Sequence, residues 1–249
     1  MKHSFRILLV NSNTSAATTQ QVANAARALA PEVEFTAIEG RFGPAGIGGR
    51  ADLVISAQAT LEAALEAAPG HDAVIVACFS DPGLAALREV LDIPVVGIGE
   101  SAYLTASMLG ARFSVVSPGA RVAPIICEAV HAAGLSSRFG GVTLVDDSVI
   151  HAADRTPLLV EGIARAVATQ GAEVVVLGGA VFAGLVQAVA EQSQVPVVGS
   201  VEAAVVQALA LCRLQAGRAV VGSYSRPRRK LMTGVAPVIA QHLAIGGEA

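Results

Sequence analysis

Apolar residues in this chain gather in short, largely β-branched runs, and stretches with helical spacing lie between them. Residues 5–10 form the first run, 34–38 the second, 72–78 the third and 93–97 the fourth. A second set follows at 112–116, 141–145, 172–178 and 195–199. Runs of this length, bounded by glycine, proline or short polar residues, predict strands of a parallel sheet covered on both faces. Helices are predicted between them: an alanine-rich one ending near Leu29, then 51–68, 81–91, 123–133, 158–170 and 202–214. In 51–68 the residues Leu53, Ala57, Leu61, Ala64 and Leu65 fall on one face. Strand and helix alternate throughout, which predicts an α/β fold.

The second half echoes the first. Asp-Ala-Val-Ile-Val-Ala-Cys, ending at Cys78, matches Glu-Val-Val-Val-Leu-Gly-Gly, ending at Gly179, at an offset of 101. The stretch beginning Pro94-Val-Val-Gly97 matches Pro196-Val-Val-Gly199 at 102, and Arg6–Asn11 matches Arg112–Ser117 at 106. Three pairings in one order at nearly one offset predict an internal duplication. The expected architecture is two pseudo-symmetric doubly wound lobes with parallel sheets, residues 1–100 and 101–210, with the active site in the cleft between them. Residues 211–249 are expected to form a C-terminal helical segment that packs back on the lobes.

The strongest chemical signal lies in residues 72–83. The apolar run there ends at Cys78, and Phe79, Ser80, Asp81, Pro82 and Gly83 follow as loop and helix-start residues. Open α/β sheets bind ligands at the carboxyl edge of their strands, so a thiol delivered there is the first candidate for chemistry. Asn11-Ser-Asn-Thr-Ser15 follows the first strand and provides a helix cap. In the same stretch Asn13 and Thr14 are candidate donors to a carboxylate or imide oxygen. Ser80 and Ser117 are candidates of the same kind. The glycine-rich residues 40–49 form a loop of the sort that lies over a site. Glu100 and Glu202 stand at equivalent helix starts, where an acidic side chain complements the helix dipole. Cys127 and Cys212 sit among apolar residues at helical spacing and are expected in the core.

Composition narrows the function classes. With 249 residues, 53% hydrophobic and 15% charged, the chain has ample material for a core, and its apolar content favours a homo-oligomer. No stretch approaches the roughly 20 apolar residues of a membrane span. The N-terminus runs straight into a strand-like segment without the pattern of a signal peptide, so a cytoplasmic protein is expected. A net charge of -3 points away from nucleic acid and anionic membranes. The one basic cluster, Arg226–Lys230, reads as a solvated loop. Three cysteines without paired spacing argue against a disulfide framework. The five histidines show no metal-ligand spacing, and neither a dinucleotide fingerprint nor a phosphate loop is present. No cofactor or metal is expected, and the expected partner is a small-molecule substrate.

These residues resemble the aspartate/glutamate/hydantoin racemase superfamily, and within it the hydantoin racemase branch. The likeness is carried by Asn11-Ser-Asn-Thr-Ser15, by Gly43-Pro44 with Ile47, and by Ala77-Cys-Phe-Ser-Asp-Pro-Gly83. Pro94-Val-Val-Gly-Ile-Gly-Glu100, Arg112-Phe-Ser-Val-Val116 and Val176-Leu-Gly178 extend it over most of the chain. The stretch around Cys78 is specific; the Pro-Val-Val-Gly stretches are not. The resemblance implies a cofactor-independent enzyme, without metal or pyridoxal phosphate, acting on a small carbon acid such as a hydantoin or amino-acid derivative. In two-cysteine members one thiolate removes the α-proton and the other thiol protonates the opposite face.

Cys78 matches the first of these thiols. The second-half motif, usually Leu-Gly-Cys-Ala-Gly-Met, reads Leu177-Gly-Gly-Ala-Val-Phe182 here, so Gly179 occupies the second cysteine's place. Gly199-Ser200 replaces the usual Asp-Gly, and Ser117-Pro118 the usual Thr-Thr. The resemblance therefore implies a catalytic Cys78, with Asn13, Thr14, Phe79, Ser80, Ser117, Gly179 and Ala180 against the substrate. Three readings follow. The first is a racemase in which water or a nearby hydroxyl serves the second face. The second is a single-cysteine decarboxylase, or other lyase or isomerase, similar to arylmalonate decarboxylase and maleate isomerase. The third is a non-catalytic small-molecule-binding relative.

Overall fold

The computed structural model describes residues 4–245. Residues 1–3 and 246–249, which open the first expected lobe and close the expected C-terminal segment, lie outside the described residues. Strands β1 (Arg6–Asn11), β2 (Glu34–Glu39), β3 (Ala73–Val76) and β4 (Val95–Gly97) form a parallel sheet in the order β2-β1-β3-β4. Strands β5 (Phe113–Ser117), β6 (Phe139–Leu144), β7 (Val174–Leu177) and β8 (Val197–Gly199) form another in the order β6-β5-β7-β8. Position for position the two orders are the same, so the repeat in the sequence is a repeat of topology.

The helices are α1 (Ala16–Leu29), α2 (Arg50–Ala67), α3 (Leu84–Val90), α4 (Ile98–Leu109) and α5 (Ala123–Ala132). They continue with α6 (Thr156–Gln170), α7 (Val186–Ala190), α8 (Ser200–Arg213) and α9 (Pro237–Leu243). Ser15 caps α1 by accepting from the Thr18 N–H at 3.3 Å, an interaction worth about 1 kcal/mol.

Alternation along each strand sorts the side chains into separate cores. Ile7, Leu9, Ala73 and Ile75 of the first sheet meet Phe113, Val115, Val174 and Val176 of the second in one shared core. Leu8, Val10, Val74 and Val76 face a second core beneath α2, α3 and α9. Val116, Val175 and Leu177 face a third beneath α6 and α7. This explains why the strands read as unbroken apolar runs.

Two helices cross between the sheets. The chain enters α4 directly from β4, yet α4 also packs on β7 and β8 of the second sheet. Its counterpart α8 follows β8 and packs on β3 and β4 of the first. Gln207 of α8 fastens the two together, donating to the Ser101 carbonyl at 2.9 Å and to Thr105 Oγ1 at 3.0 Å. Residues 100 and 101, the expected meeting point of the lobes, lie inside α4.

Several expectations are adjusted. The helix expected over 81–91 begins at Leu84, because Asp81 takes a left-handed turn. Within 211–249 the helical parts are the end of α8 and α9, which packs on α2. Cys127 is exposed rather than in the core: α5 buries Ile125, Ile126 and Val130, and position 127 faces away. Cys212 is half-buried, with its Sγ 3.5 Å from the Asp72 carbonyl oxygen. Among the described residues no helix is long and apolar enough to cross a membrane.

Candidate active site at the carboxyl edges of the two sheets

Two matching hydrogen bonds define the site. The Ala77 N–H donates to the Val10 carbonyl at 2.8 Å, and the Gly178 N–H donates to the Val116 carbonyl at 2.8 Å. Cys78 and Gly179 therefore stand at equivalent places, each one residue past the end of its ladder. The Cys78 thiol is buried and receives the Ser80 N–H. Burial pushes it up to about 12; the Ser80 N–H works against that rise, and the Asp81 carboxylate adds to it. At neutral pH the thiol is protonated.

The other expected site residues divide by what their polar groups already do. Asn13 Oδ1 accepts from Asn11 Nδ2 at 2.8 Å and from the Ser15 N–H at 2.9 Å, so this side chain shapes the loop after β1. The Thr14 N–H donates to the Pro44 carbonyl at 3.1 Å, which draws the glycine-rich 40–49 loop towards the same edge. Ser117 Oγ donates to the Gly178 carbonyl at 2.8 Å and is committed to holding the end of β7. Phe79 is buried in the core shared by the sheets, edge-on to Tyr103 with ring centroids 5.5 Å apart. Ser80 is partly exposed beside the thiol. Ala180 is buried and opens a single 3-10 turn, Ala180–Phe182.

That turn is held from both sides. Gln21 of α1 donates to the Val181 carbonyl at 2.8 Å and to the Ala183 carbonyl at 3.1 Å. Arg155, ahead of α6, donates to the same Val181 carbonyl. Gly179 has an extended φ of 160°, and a Cβ there would meet Phe182 and Val181 at 3.5 Å, an ordinary contact.

Asp81 reads from the sequence only as a helix-start residue. Its φ is +47°, and its carboxylate accepts the Gly99 N–H at 3.0 Å and the Glu100 N–H at 2.7 Å, at the start of α4. A Cβ on Gly97 would stand 2.3 Å from the Asp81 carboxyl carbon, and one on Gly99 would stand 2.2 Å from the Phe79 carbonyl oxygen. The recurrence of glycine in Gly97-Ile-Gly99 is the signal that another segment comes close. Burial raises Asp81 to about 7, against the lowering effect of the two N–H donors; Glu100 raises it further and Arg88 lowers it. Glu100 stands in the first turn of α4, as expected of a dipole partner, and its carboxylate is engaged by Arg88. Tyr103, also buried, keeps its proton for the same reason of burial, and no partner for its hydroxyl occurs among the described residues. Among the described residues no group of three or more His, Cys, Asp or Glu side chains is placed to hold a metal ion.

The fold agrees with comparison to known proteins. A family model described as Asp/Glu/Hydantoin racemase matches residues 7–208. The chain belongs to this family. Among similar Asp/Glu/hydantoin racemase members, the hydantoin racemase of Paenarthrobacter aurescens is 36% identical over 90% of this chain and 98% of its own. An allantoin racemase structure from Pseudomonas fluorescens superposes with a TM-score of 0.87 at 34% identity, covering 92% of this chain and all (100%) of that one. The allantoin racemase from Klebsiella pneumoniae gives the same TM-score of 0.87 at 33% identity, over 93% and 97%. The protein is thus an isomerase of the racemase family by descent, with two four-stranded parallel sheets.

Proposed function

We propose that this racemase-family enzyme acts on a small cyclic ureide, a 5-substituted hydantoin or allantoin, by proton transfer through Cys78 alone. The observation that carries the reading is the equivalence of Cys78 and Gly179: one sheet edge presents a thiol and the other presents backbone. The similar hydantoin and allantoin racemases supply the substrate class.

Inversion of a carbon acid needs a base on one face and an acid on the other. Cys78, once ionised, takes the proton from the carbon between the ring nitrogen and the carbonyl. The electron pair moves onto the carbonyl oxygen, and the resulting enolate is stabilised by hydrogen-bond donors at the sheet edge. Thr14 Oγ1 and Ser80 Oγ are proposed for that role. Water then delivers a proton on the Gly179 side, and the hydroxide left behind recovers the proton held by Cys78. The balance closes with no other reactant.

A second reading is favoured by the electrostatics. A thiol pushed up to about 12 is better prepared to give a proton than to take one. That suits an enzyme which protonates one face of an enolate formed by loss of carbon dioxide. Incubation of each enantiomer of a 5-alkyl hydantoin and of allantoin in deuterated water separates the two. Exchange at the ring carbon with loss of optical rotation supports the first. Absence of exchange, together with carbon dioxide release from an α-substituted malonate, replaces it with the second.

A further inference from the structure

We infer that Asp81 and Glu202 are a pair of positioning residues, crossed tethers that set the separation between Cys78 and the opposite wall at Gly179. The inference rests on the proposal that this edge is the active site.

Asp81 lies in the turn that carries Cys78. The Asp81 N–H donates to the Cys78 carbonyl at 2.9 Å, closing that turn, while the side chain reaches two N–H groups of α4. Because α4 packs on β7 and β8, the thiol turn is tied to a helix seated on the opposite sheet. The second half repeats the device with the partners exchanged. Glu202 of α8 accepts the N–H of Gly184 at 3.0 Å, and Gly184 follows the turn that begins at Gly179. Helix α8 packs on β3 and β4, so the Gly179 wall is tied to a helix seated on the first sheet.

The glycines that end β4 and β8 make this possible. A Cβ on Gly97 would overlap the Asp81 carboxylate, and a Cβ on Gly199 would stand 2.1 Å from Glu202 Oε2. These two positions are equivalent in the repeat. The Pro-Val-Val-Gly stretches thus end where a carboxylate must pass. Asp81 also holds a left-handed φ, one of two non-glycine cases among the described residues. Such backbone costs of order 1 kcal/mol and persists only where its surroundings enforce it. The charged and titratable groups acting on Asp81 and its turn are Cys78, Arg88, Glu100 and Tyr103.

The test reads the thiol directly and needs no substrate. Iodoacetamide labelling, resolved by mass spectrometry at Cys78 and at exposed Cys127, is followed from pH 7 to pH 10 in wild type, Asp81→Ala, Asp81→Asn and Glu202→Ala. Release of the turn admits water to the thiol and removes a neighbouring negative charge. Asp81→Ala is expected to raise the Cys78 rate about tenfold at pH 8 and to move its profile to lower pH, with Cys127 unchanged. Asp81→Asn retains one acceptor and should fall between. Glu202→Ala should leave the Cys78 profile in place. With whichever substrate proves active, both alanine variants should lower kcat about a hundredfold and alter KM far less, because misplacement acts on the reacting geometry. An unmoved Cys78 profile in folded Asp81→Ala, or in Asp81→Asn where the alanine variant does not fold, overturns the inference. A shifted profile in a protein inert towards every ureide sustains the tether and removes the functional reading instead.

Discussion

The ring of Phe79 occupies the space above Gly178: a Cβ on Gly178 would stand 3.0 Å from Phe79 Cε1 and 2.6 Å from Val115 Cγ1. The residue after the thiol in one half thus packs on the residue before Gly179 in the other. Gly178→Ala must displace a buried ring and a buried strand residue together, and overpacking of this kind costs about 1–3 kcal/mol. Chemical denaturation should show that loss. A Gly178→Ala protein as stable as wild type would place Phe79 elsewhere.

Cys78 should behave as an unusually weak acid. With the thiol pushed up to about 12 by burial, its alkylation rate is set by a small thiolate fraction that grows tenfold per pH unit. In a Cys127→Ser, Cys212→Ser protein, the rate is expected to climb at that slope from pH 7 to pH 10 without levelling. A plateau near pH 9 would contradict the burial effect.

Gly179→Cys should fold normally, since the backbone is extended and the added Cβ meets only ordinary contacts at 3.5 Å. The substitution restores the two-thiol arrangement that the family resemblance implies. Polarimetry with a single hydantoin enantiomer should show racemisation appearing or rising at least about tenfold, as expected when a positioned acid replaces water. An unchanged rate in the folded variant would show that position 179 does not face the reacting carbon.

Asp81 makes stability depend on pH in a defined direction. Its ordinary value of 3.8 applies unfolded and about 7 folded, so between them the folded state holds a proton the unfolded state has lost. Its contribution is full below about pH 4 and declines as pH rises through 7. Asparagine cannot ionise, so the stability of Asp81→Asn relative to wild type should improve by on the order of 4 kcal/mol between pH 4 and pH 8. Denaturation at the two pH values measures this, and an unchanged difference would show that Asp81 stays ionised throughout.

The architecture was largely legible because it rests on apolar periodicity and on a repeat. The strands that lead to Cys78 and Gly179, and the helix cap at Ser15, follow from local sequence and stand where local sequence puts them, although β3 and β7 end two residues sooner, at Val76 and Leu177. What escaped was set by partners distant in the chain. Asp81 looks like a helix start because nothing near it in sequence shows that Gly99 and Glu100 offer their N–H groups. Ser117 and Asn13 look like free donors, yet their bonds go to Gly178 and to neighbours in a turn. Cys127 looks like core because both of its neighbours on one side are isoleucines, but a helix turns 100° per residue, and that carries it out to the surface.

The exchange of α4 and α8 makes each half depend on the other. Each sheet is completed by a helix belonging to the other half, so a single half-length chain would leave one face of its strands bare to water. Two such chains together would cover both. Neither half can therefore be cut out of the chain with its own sheet covered on both faces.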